Sequence, residues 1–143
     1  MMSAMDRNSV DWRGYIPAMV TPFTRDGDLD RDGFSELLEW LVGEGMHGIV
    51  VAGSSGEWFS LAADERIDLF RMAAKQVDGR IPVIGCCNAI SPGESLAYAR
   101  AAEESGLDGI IVAPPRRCIR RLKVAAISTI AQRRKGRASS PLK

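Results

Sequence analysis

Gly45-Met46-His47-Gly48-Ile49-Val50-Val51-Ala52 recurs in pattern, 61 residues further on, as Gly106-Leu107-Asp108-Gly109-Ile110-Ile111-Val112-Ala113. In each copy a glycine suited to closing a helix is followed by two residues, a second glycine and an unbroken apolar run. Apolar residues in succession, without alternation, mark a strand covered on both faces, as in a parallel sheet flanked by helices. Ile16–Thr21 and Ile81–Gly85 have the same character, so the candidate strands are Ile16–Thr21, Gly48–Ala52, Ile81–Gly85 and Gly109–Ala113. They begin roughly every 30 residues, the size of a βα unit.

The segments between them carry helical periodicity. From Asp30 to Val42, Phe34, Leu37, Leu38, Leu41 and Val42 fall on one face, and Gly43 and Gly45 supply a stop. From Ala62 to Val77 the expected buried face is Ile67, Phe70, Ala74 and Val77, with Asp64 and Glu65 in the first turn, where the helix dipole favours negative charge. The third helix has the strongest start: Ser91 as N-cap, Pro92 at the first helical position and Glu94 placed to complete a capping box. It ends at Ser105-Gly106.

Repeated βα units build either a doubly wound sheet or a (β/α)8 barrel. Thr21-Pro22-Phe23 follows the first strand where a dinucleotide fingerprint would stand, which argues against the first. A closed barrel needs about 200 residues or more. The expected class is α/β, and if the units belong to a (β/α)8 TIM barrel the chain holds only about the first three and a half of them.

The chain has 143 residues, 45% of them hydrophobic, enough for one domain with a real core. No apolar run approaches the ~18 residues of a membrane span, and the polar start lacks a secretory h-region. Three cysteines, with Cys86 and Cys87 adjacent, make no disulfide framework, so a cytoplasmic setting is expected. The formal charge of +1 conceals a split. Residues 1–115 hold 18 acidic and nine basic residues, whereas residues 116–143 hold ten basic residues and no acid.

In parallel α/β folds chemistry gathers where strands end. Gly53-Ser54-Ser55-Gly56-Glu57 follows the second strand directly. Two hydroxyls between glycines, with free backbone N–H groups, suit a carboxylate or phosphate. The same residues also suit a plain βα turn, in which glycine sets the geometry and serine caps the backbone. His47 precedes its strand, on the face opposite the site, and reads as a loop histidine. Cys86, Cys87 and Cys118 lack metal-site spacing and read as small buried residues; no metal is expected. Asn88 lies on the correct face for substrate or for a turn, and Trp58 reads as core ahead of pocket lining.

The signature at 53–57 resembles that of the dihydrodipicolinate synthase and N-acetylneuraminate lyase family of class I, pyruvate-dependent aldolases. The resemblance runs over residues 14–115. It includes Pro17-Ala18-Met19-Val20-Thr21-Pro22-Phe23, Asp26-Gly27, Leu61, Glu65, Gly79-Arg80-Ile81-Pro82-Val83-Ile84 and Ala101 to Pro114. It implies a (β/α)8 barrel, usually tetrameric, without a separate cofactor. A lysine there forms a Schiff base with pyruvate or another 2-keto acid. By the same resemblance Ser54 takes the hydroxyl proton-relay position, and Ser55, with Gly56, the carboxylate-binding position. Serine in place of threonine keeps the hydroxyl but loses the β-branch that stiffens χ1.

The chain departs from the family where the resemblance stops. Pro115 and Arg116 stand where one or two tyrosines are usual, and the relay tyrosine and Schiff-base lysine fall beyond the matching region. Tyr15 and Tyr98 do not substitute by position. Lys75 shares an amphipathic helix with solvent-facing charges, and Lys123, Lys135 and Lys143 lie in the tail. The expected domains are a polar extension at 1–13, the barrel portion at 14–115 and a basic tail at 116–143. A lyase fragment, inactive alone, is the first expectation. The tail reads as out-of-frame sequence, or as an arm for nucleic acid or another anionic partner, although it carries no aromatic residue for base stacking.

Overall fold

The computed structural model describes Val10 and residues 12–113. The expectations for the basic tail, including Cys118 and its three lysines, lie outside the described residues, as does most of the N-terminal extension. The elements run α1 (Arg31–Gly43), β1 (Ile49–Val51), α2 (Ala63–Val77), β2 (Val83–Cys86), α3 (Pro92–Glu104) and β3 (Gly109–Ile111). The three strands are parallel and lie in chain order, β1-β2-β3, with Ile49 opposite Val83 and Ile84 opposite Gly109.

Sequential parallel order is what a barrel requires, although one half of a doubly wound sheet shares it. A doubly wound sheet reverses its strand order part-way, whereas a barrel adds each strand beside the last. The helices follow suit, with α2 packed between α1 and α3. Their buried faces and one face of the sheet share a core built on Phe34, Leu38, Leu69, Phe70, Ala73, Val77, Ile49 and Val51. The opposite sheet face carries a separate, smaller cluster of Val50, Ile84 and Cys86, with Ile16 against it. This is the side that faces inward in a barrel.

The helices form where their sequence places them. Asp30 caps α1 by accepting from the Gly33 N–H at 2.9 Å. Ser91 caps α3 by accepting from Glu94 N–H at 3.2 Å, and the Glu94 carboxylate accepts from the Ser91 N–H, completing the box. At the start of α2 no side-chain oxygen is available from Ala62, but its N–H donates to Glu65 at 2.9 Å.

Two expectations need correction. Ile16–Thr21 is not a full strand: it makes a single parallel bridge, Ala18 with Val50. Met19 N–H donates to the Val50 carbonyl at 3.0 Å, and Val50 N–H donates to the Pro17 carbonyl at 2.8 Å. Pro17 and Pro22 have no N–H to extend the ladder in either direction. The buried face of α2 is also rotated from the expected one. Leu69, Phe70, Ala73 and Val77 are buried with Arg66, while Ile67 and Ala74 are half-buried at the margins.

Candidate active site

The turn after β1 occupies the C-terminal edge of the sheet, as its sequence position implied. Its backbone folds on itself, with Gly56 N–H donating to the Gly53 carbonyl at 3.1 Å and Glu57 N–H to the Ser54 carbonyl at 3.2 Å. Gly53 and Gly56 are buried, whereas Ser54 and Ser55 are exposed. Among the described residues nothing accepts from the amide or hydroxyl of either serine. Those four donors are free for an anionic ligand.

The turn is held from below. Thr21 Oγ1 donates to the Gly56 carbonyl at 2.7 Å, and a Cβ on Gly56 would stand 3.0 Å from the Met19 carbonyl and 3.1 Å from Thr21 Oγ1. A side chain there would require these neighbours to shift. Ala52 and Glu57 bracket the turn with φ of 52° and 53°, in the left-handed region. The other non-glycine residue there among those described is Asp78, which ends α2. A helix end uses that conformation routinely. Two such residues around one exposed turn are strain maintained by the surrounding packing, as at ligand sites.

Arg66 was not among the residues singled out by sequence, because a charged residue inside an apolar helical stripe reads as solvent-facing. It is 1% exposed. Its Nη1 donates to the Asn88 carbonyl at 2.7 Å and its Nη2 donates to the Cys86 carbonyl. The guanidinium carbon lies 4.2 Å from the Tyr98 ring centre and 5.4 Å from that of Trp58. Trp58 is therefore half-buried on the rim, edge-on to Phe59, and not the core residue expected. Asn88 bridges loops: its Oδ1 accepts from the Ala113 N–H at 2.6 Å.

The remaining candidates are structural in their contacts. His47 Nδ1 accepts from the Tyr15 N–H at 3.1 Å, at the N-terminal edge of the sheet, away from the signature turn. Its ring lies where a side chain on Gly14 would project. Cys86 and Cys87 are buried, and burial pushes the Cys87 thiol up to about 12, with the Arg66 charge pulling the other way. Tyr15 is exposed and Tyr98 stacks on Arg66, and among the described residues neither hydroxyl bonds to the turn's serines. Lys75 is exposed in the last turn of α2. Among the described residues no three His, Cys, Asp or Glu side chains converge on a possible metal position. No helix among them is long and apolar enough to cross a membrane.

Residues 11–116 match the dihydrodipicolinate synthetase family. The chain belongs to that family. An uncharacterized DapA-like lyase of Rhizobium meliloti is 43% identical over 105 residues, covering 73% of this chain and 35% of the relative. Two solved structures are similar. N-acetylneuraminate lyase from Mycoplasma synoviae has a TM-score of 0.69 at 32% identity, over 73% of this chain and 36% of that one. YagE of E. coli K12, a dihydrodipicolinic acid synthase family protein in complex with pyruvate, has a TM-score of 0.72 at 31% identity, over 85% and 41%. These are TIM-barrel enzymes, and the chain covers their N-terminal part. It spans about a third of the length of the curated relatives it matches. The family read from sequence stands, and so does the fold, as the N-terminal portion of a TIM barrel.

Proposed function

We propose that residues 14–115 supply the carboxylate-binding portion of a Schiff-base lyase site acting on pyruvate or another 2-keto acid. Ser55, by its hydroxyl and amide and with Gly56 beside it, takes the carboxylate, and the Ser54 hydroxyl relays a proton to or from the reacting carbon's substituents. The observation that carries this reading is the exposed Ser54-Ser55 pair at the C-terminal edge of a parallel sheet, with its donors unused and its turn held by Thr21 and Gly56. Preorganised hydroxyl and amide donors are what a keto-acid carboxylate and a developing oxyanion require. Support also comes from the family membership and from the pyruvate bound by YagE.

Covalent attachment needs a lysine held at the substrate with a lowered pKa. Lys75, exposed in the last turn of α2, is not held at the signature turn. We therefore read this chain as binding keto acid without forming the Schiff base by itself. Two measurements on the full chain test it. Pyruvate should shift the backbone amide resonances of Ser54, Ser55 and Gly56 saturably, and pyruvate with borohydride should leave every lysine unmodified. A reduced pyruvyl adduct overturns the non-covalent reading, and silent amides at 54–56 overturn the site.

A further inference from the structure

We infer that Arg66 is a positioning residue for the keto-acid turn, holding the loop after β1 against the loop after β2; this rests on the reading of residues 53–57 given above. The guanidinium is buried with no carboxylate among the described residues against it, an arrangement that costs free energy unless its N–H groups and charge are otherwise satisfied. Both terminal nitrogens donate to main-chain carbonyls, of Cys86 at the end of β2 and Asn88 in the loop beyond. Its Nε is buried without an acceptor among the described residues, and its plane is flanked by the rings of Tyr98 and Trp58.

The partners come from three separate places. Trp58 directly follows the signature turn, Cys86 ends β2 with Asn88 in the loop beyond, and Tyr98 is on α3. Asn88 then extends the connection to Ala113, beyond β3. One planar cation thus joins the C-terminal ends of successive βα units through a continuous set of contacts. Lysine keeps the charge but has neither the planar fork for two divergent carbonyls nor the flat face for two rings. The inference therefore separates charge from shape.

The test is pyruvate titration of the full chain, read at the Ser54, Ser55 and Gly56 amides, for the wild type, Arg66→Lys and Tyr98→Leu. Intact α1 amide resonances report that each variant is folded. Arg66→Lys is expected to raise the pyruvate Kd by roughly fivefold or more and to move the Trp58 indole N–H resonance. Tyr98→Leu, which removes one ring and leaves both carbonyl bonds, is expected to raise Kd about twofold and decides the matter if Arg66→Lys does not fold. A purely structural role would lower the melting temperature and leave the Kd and the Trp58 resonance of a folded variant unchanged. That outcome overturns the inference while leaving the site intact. Absence of pyruvate shifts in the wild type overturns the site itself, and the inference with it.

Discussion

Thr21 Oγ1 donates to the carbonyl of Gly56 across 2.7 Å, joining the end of the first extended segment to the signature turn 35 residues later. The bond is buried, so removing the donor leaves a carbonyl without a partner. Thr21→Val, nearly isosteric, is expected to destabilise the chain by about 1–2 kcal/mol, read as a shift of the denaturation midpoint. Gly56→Ala should cost more, about 1–3 kcal/mol, because the added Cβ meets the Met19 carbonyl and Thr21 Oγ1 inside van der Waals distance. A Gly56→Ala variant as stable as the wild type would show that the turn is not held in this way.

The Glu39 carboxylate receives two bonds from Arg80, at 2.7 and 2.8 Å, and one from Gln76 at 3.4 Å, linking α1 to the end of α2. The hydrogen bonds from Arg80, then Gln76, lower its pKa from 4.5 to about 2. A depressed carboxylate contributes stability that is complete above its unfolded value and is lost as pH falls through its folded one. The window is thus from about 4.5 down to about 2. The pair is exposed, so its effect on stability is small and the titration is the cleaner readout. In Arg80→Ala the Glu39 midpoint, followed by side-chain carboxyl NMR, should rise toward its ordinary value.

Ser91 and Glu94 provide a local check on α3. Ser91→Ala removes the cap on the Glu94 N–H and should cost about 1 kcal/mol, whereas Ser91→Asp should be close to neutral. Chemical denaturation of the two variants side by side measures this without reference to any ligand.

These contrasts show which features sequence discloses. The α3 cap was legible because Ser91, Pro92 and Glu94 act within four residues of one another and answer only to local geometry. The parallel sheet was legible because strands buried on both faces leave an unbroken apolar run, as in Ile49–Val51. The shortened pairing at Ala18 was not, since apolar content in Ile16–Thr21 outweighed two prolines that withhold ladder donors. Ser54 and Ser55 could be located from sequence, but the means of holding their turn could not. Thr21 reaches it across 35 residues, and Arg66 acts through carbonyls, which have no side-chain signature. A buried charge satisfied by backbone is invisible to any pattern that sorts residues by polarity.

Cys87 provides the last prediction. Its side chain is fully buried, with Sγ 3.7 Å from the Gly85 carbonyl, and desolvation raises its pKa from 9.0 to about 12. Because the folded state disfavours the thiolate, Cys87 favours unfolding progressively as pH rises above about 9. At neutral pH its thiolate fraction is far below that of an ordinary thiol, and burial blocks the alkylating reagent besides. Iodoacetamide at pH 8 should therefore leave Cys87 unmodified in the folded chain and modify it readily in denaturant, as peptide mass spectrometry would measure. Prompt native-state alkylation would mean that β2 and its following loop open far more often than the Arg66 contacts to Cys86 and Asn88 allow.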